Sequence, residues 1–135
     1  MSKRGRSQTL QMIGKILTFA VGLEHFYIAY IEIFMWNTPT TNAIFGLKNE
    51  KEFAGNPKTK IMAANQGLYN GFLAVGSLWA VIHPDPAIGN QISLFFTSCV
   101  AIAAVFGAAS TGNTTILKSQ GGPAFLALTA LYFGI

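Results

Sequence analysis

Charge is scarce in this sequence: nine Lys and Arg and five Asp and Glu make up 10% of its 135 residues. A soluble domain carries about 25% charged residues, and a soluble helical one needs a polar face on most of its helices. The runs "FLAVGSLWAVI" and "FFTSCVAIAAVFGAA" supply almost none. Cysteine is scarcer still. Cys99 stands alone, so no disulfide forms within the chain, and its place in an apolar run makes it a small packing residue. No nucleophile motif and no mixed basic and aromatic nucleic-acid motif is present, so neither nucleophilic catalysis nor a nucleic-acid partner is expected.

What remains is apolar. Residues 61–82, 92–109 and 119–135 contain no Lys, Arg, Asp or Glu, and about 20 such residues cross a bilayer. A fourth apolar segment, 12–36, is interrupted by Glu24, His25 and Glu32. The basic start "MSKRGRSQ" resembles a leader, but the helix after it is too long and carries two acids, so no cleavable signal is expected. The pattern predicts an all-α, multi-pass membrane protein. A basic tail at 1–10 precedes a single domain, 11–135, of four transmembrane helices at about 11–36, 61–82, 88–110 and 116–135. Short connections after the second and third helices predict an antiparallel bundle. "HPDP" (83–86) reads as a cap and turn, and "QGGPAF" as a site of close approach and local irregularity. Lys3, Arg4, Arg6 and Lys15 on one side oppose Lys48, Lys51, Lys58, Lys60 and Lys118 on the other. This near balance leaves orientation open.

On a helix advancing about 100° per residue, His25 and Glu32 share a stripe with Trp36, and Glu24 lies about 100° to one side. The second span carries Asn65, Gln66, Tyr69 and Asn70 over an arc of about 140°. Polar groups facing lipid are costly, so the two faces are expected to meet, with Gln120 and Thr97 or Ser98 closing the ring. Amides alone serve as interhelical glue for about 0.6 kcal/mol a pair. A charge at mid-membrane costs about 2.5–3.5 kcal/mol, more than glue requires, so the acids point to function. Trp36 marks the interface near Glu32, which makes Glu24 the acid expected to be more enclosed.

The stretches "GLEHFYIAYIEIFMW", "FGL", "MAANQGLYNGFLAVG" and "QGGPAFLALTA" together resemble the domain-of-unknown-function family numbered 1304, small bacterial integral membrane proteins. The resemblance covers nearly the whole chain after the basic tail. It implies a four-helix membrane protein of about this length and supplies no activity.

The residues themselves point to binding, or proton-coupled transport, of a small organic molecule, an organic cation among the candidates, in the bacterial cytoplasmic membrane. The expected ligand- and proton-binding set is Glu24, His25, Glu32, Trp36, Asn65, Gln66, Tyr69, Asn70 and Gln120, with Glu24 as coupling acid. Four short helices enclose little space, so a homodimer is expected. Two other readings stand beside this one. An intramembrane isomerase or hydrolase would use Glu24, His25 and Glu32 for acid–base chemistry on an apolar substrate, with Tyr69, Asn65 and Gln66 near a developing oxyanion. A scaffold subunit would mate the polar face with another membrane protein. No catalytic residue, cofactor or metal is assigned.

Overall fold

The computed structural model describes residues 2–134, and every regular element among them is helical. Met1 and Ile135, the outer ends of the expected tail and last helix, lie outside the described residues. The helices are α1 (Lys3–Phe34), α2 (Pro39–Ile44), α3 (Lys51–Gly55), α4 (Pro57–Ile82), α5 (Pro86–Thr111), the single turn α6 (Thr114–Ile116) and α7 (Gly122–Gly134). A π turn at Leu117–Gly121 joins α6 to α7. The stretch read as a basic tail is helical from Lys3 onward.

Of the four expected spans, two helices, α1 and α5, are long and apolar enough to cross a membrane. α4 matches α5 at 26 residues but carries Asn65, Gln66 and Asn70, and α7 alone has 13 residues.

Local chemistry sets the helix ends. Pro86 occupies the first turn of α5, where its missing N–H costs nothing, and the Asp85 carboxylate accepts from the Ala87 and Ile88 amides at 2.8 and 3.3 Å. Gly112 closes that helix at φ 69°, a left-handed position that glycine adopts without a Cβ clash. Pro57 and Pro39 open α4 and α2 in the same way. Before α4, the Asn56 side chain accepts from the Lys58 amide at 2.9 Å, and before α2, Thr38 accepts from Thr41 at 3.3 Å. The π turn precedes Pro123. A proline crowds the carbonyl four residues back, and the preceding turn is one residue wider, with the Gly122 amide donating to the Leu117 carbonyl.

The chain divides into two compact units. The first runs to Glu24 and resumes at Leu73. Its core joins Val21 of α1, Val100 and Ala101 of α5 and Ala124 of α7, with Leu73 and Leu128 packed against them. α1 and α7 run antiparallel: the Ser7 hydroxyl and the Gln11 amide both donate to the Gly134 carbonyl, and Leu131 fills the space beside Gly14. α4 and α5 approach through Gly89, where an added Cβ would lie 2.7 Å from the Ala80 carbonyl oxygen. The second unit, His25–Phe72, holds the end of α1, the start of α4, and α2 and α3 between them.

The first unit buries many small residues, and both units expose large ones. Ala74, Ala104, Ala124, Ala127, Thr18, Thr97 and Ser77 are fully enclosed, while Phe19, Ile102, Phe106, Leu126 and Phe133 in the first unit and Phe26, Phe34 and Phe72 in the second face outward. Ile31 of the second unit and Leu131, Val21 and Val100 of the first are enclosed as well. Small residues at helix contacts are the habit of helices surrounded by lipid, where backbones gain most by close approach.

Two glycines therefore respond oppositely to substitution. Gly89→Ala is expected to destabilise the chain by about 1–3 kcal/mol through overpacking against Ala80. Gly71→Ala, with nothing within 4 Å of the added methyl, should raise stability by about 0.5–1 kcal/mol through helix propensity. Thermal unfolding of the purified variants reads both; a neutral Gly89→Ala would contradict the close approach.

Candidate functional site

The second unit contains a carboxylate buried between helices. Along α1, His25, Ile28, Ala29 and Glu32 recur at helical spacing and form one buried stripe, with His25 1% and Glu32 8% exposed. Helix α4 comes close because position 67 has no side chain. A Cβ there would stand 3.0 Å from the Ala29 carbonyl oxygen and 3.1 Å from Glu32 Cβ. Three residues on, Asn70 Nδ2 donates to Glu32 Oε2 at 2.8 Å. The bond neutralises no charge, so the carboxylate keeps its capacity to take a proton or a cation.

Trp36 lies just beyond the end of α1 and organises the following loop. Its indole N–H donates to the Ala54 carbonyl at 3.0 Å, and its ring centre lies 5.8 Å from that of Phe45. The Thr41 hydroxyl donates to the Met35 carbonyl at 2.7 Å. Asn37 takes a left-handed φ of 63°, which asparagine tolerates better than most residues, and accepts from the Asn42 amide at 3.1 Å.

Asn70 is thus the member of the α4 polar set that meets an α1 acid. Asn65, Gln66 and Tyr69 are exposed, Tyr69 by 59%, and the Asn65 amide donates back to the Ile61 carbonyl of its own helix at 2.9 Å. In the first unit Glu24 and Gln120 are each half-buried. Glu32 is the more enclosed acid, the reverse of the order expected from its nearness to Trp36. Depth along a helix decided that expectation, whereas in the folded chain the absent side chain of Gly67 decides enclosure.

Other buried polar groups lie on the long helices, among them Thr97, one of the residues expected to close the ring. The Thr18 and Thr97 hydroxyls donate to the Gly14 and Ser93 carbonyls of their own helices at 2.8 and 2.6 Å. The buried Ser77 and Ser93 hydroxyls have no hydrogen-bond partner. Ser77 was readable as part of the small-residue run Gly76, Ser77, Ala80; nothing local distinguished Ser93. Among the described residues no three His, Cys, Asp or Glu side chains gather closely enough to hold a metal ion.

Residues 19–132 match the family described as Protein of unknown function (DUF1304). The chain is 32% identical over 118 residues to the uncharacterized protein YpaA of Lactococcus lactis subsp. lactis (strain IL1403), an alignment covering 87% of this chain and 95% of that one. No solved structure matches it.

The Glu32–Asn70 bond is open to a double-mutant cycle with Glu32→Gln and Asn70→Ala. A coupling of about 0.6–1.5 kcal/mol in unfolding free energy is expected; additive effects would show that the bond contributes nothing. Trp36→Phe keeps the ring and removes the donor, so cleavage by added protease between residues 45 and 56 should speed up several-fold while the long helices stay intact.

Proposed function

The chain belongs to the DUF1304 family, and from that premise we propose that it is a multi-pass membrane protein that binds a small organic cation at a helix-enclosed carboxylate and exchanges it for a proton. The observation that carries this reading is Glu32. It is an acid enclosed to 8% exposure, fixed by an amide rather than by a positive charge, in a chain whose outer face is aromatic and aliphatic.

The chemistry follows from cost. A bare carboxylate away from water is expensive, so such a group spends its time carrying either a proton or a cationic ligand. The two compete for one site, and that competition is the coupling step of an exchanger. Asn70 holds the carboxylate in position in both states. Glu24, two turns earlier on α1, is the second proposed proton carrier, and His25 is the base beside it in sequence. The exposed aromatic Tyr69 and the amides Asn65 and Gln66 belong to the proposed ligand path, together with Trp36 near its mouth. A homodimer in the bacterial cytoplasmic membrane is the proposed working form.

The test uses the full chain reconstituted in liposomes with an imposed pH gradient and a fluorescent organic cation outside. Gradient-driven accumulation is expected for the wild type, with a loss of ten-fold or more in Glu32→Gln and partial retention in Glu32→Asp. Undiminished accumulation in Glu32→Gln sinks the assignment. Native mass spectrometry of the same preparation reads oligomeric state, and a strict monomer would remove the dimer from the proposal.

A further inference from the structure

The loop of the second unit contains a feature that cation exchange at Glu32 does not use. Asn37, Pro39, Asn42, Lys48 and Lys51 line a cleft of about 510 Å³. Two of its five lining residues are lysines, both exposed, and no carboxylate lines it. Glu50 and Glu52 line the adjoining cleft, which shares Lys48 and Lys51. The Asn42 side chain donates to Asn37 through Nδ2, while its Oδ1 is buried without a hydrogen-bond partner. The cleft therefore presents two cationic donors and no anionic side chain. Close by in sequence, Ile44 and Phe53 project outward, 46% and 52% exposed, from the short helices α2 and α3.

We propose that this cleft binds the phosphate of an anionic membrane lipid headgroup, with Lys48 and Lys51 on the phosphate oxygens. Lysine is suited to phosphate as a mobile point charge. Juxtamembrane lysines attract anionic headgroups over roughly a Debye length. Ile44 and Phe53 supply apolar contact for acyl chains. Those two residues favour a lipid over free phosphate, since dissolved phosphate has nothing to offer them. The inference rests on the membrane reading above but not on cation exchange.

Alkaline carbonate extraction of native membranes comes first. Release of the chain by carbonate would defeat the membrane reading itself, and the lipid site with it. A retained chain is then placed in phosphatidylcholine nanodiscs containing a small fraction of phosphatidylglycerol, and bound lipids are counted by native mass spectrometry after gentle ejection. Retention of phosphatidylglycerol over phosphatidylcholine is expected, falling about five-fold for each of Lys48→Gln and Lys51→Gln. Lys58→Gln/Lys60→Gln, outside the cleft, controls for surface charge and should leave the preference in place. Equal losses in the cleft and control variants would reduce the effect to general surface charge and overturn the site. Complete displacement by millimolar inorganic phosphate would assign the cleft to free phosphate and overturn the lipid. Each outcome is independent of cation transport, so failure at Glu32 and failure here are separable.

Discussion

Close approach of helix backbones at positions without bulk is the constraint on which the rest of this structure depends. Gly67 sets the spacing of α4 against α1 within the second unit, and Gly89 and Gly14 do the same for α4–α5 and α1–α7 within the first. With glycine, alanine, serine and threonine at many of the contacts, most of the phenylalanines face outward and the exterior is largely aromatic and aliphatic. The buried acid follows from the same constraint. Glu32 is enclosed because its neighbour across the contact has no side chain, and Asn70 reaches it because the helices are already close.

A good deal of this was legible beforehand. The uncharged runs 61–82 and 92–109 lie inside α4 and α5, whereas the described part of 119–135 divides between the π turn and the 13-residue α7. The "HPDP" turn was legible because aspartate before proline is a capping signal, and Asp85 caps α5. The irregularity at "QGGPAF" takes the form of a π turn. Boundaries were less legible. The sequence reading starts the second span at residue 61, whereas α4 begins at Pro57 behind Asn56, because a proline after an asparagine opens helices as readily as it ends them. The first helix stops two residues before Trp36, ahead of a left-handed Asn37 and an extended Thr38 that precedes Pro39.

The polar residues divide along a similar line. Periodicity put Glu32 and Asn70 on facing stripes, and they meet. The same periodicity put Asn65, Gln66 and Tyr69 on that arc, yet they lie exposed. An arc of 140° is wider than the strip one neighbouring helix covers, so only part of it finds a partner. Helical phase locates a face; which residues on it touch anything depends on how close the neighbour comes, and a single glycine governs that.

The π turn at Leu117–Gly121 has a consequence for how this chain can vary. A π turn holds one residue more than an α turn, so the segment carries what amounts to a one-residue insertion already absorbed into the helix. A homologue lacking one residue in this interval could close the turn to an ordinary α turn and still present Ala124, Ala127 and Leu131 to the interior in the same phase. Elsewhere in α5 or α7 a single-residue deletion rotates everything downstream by about 100° and turns the small face outward. Length changes accepted over generations should therefore concentrate at this turn and at the loops, and be purged from the helices on either side.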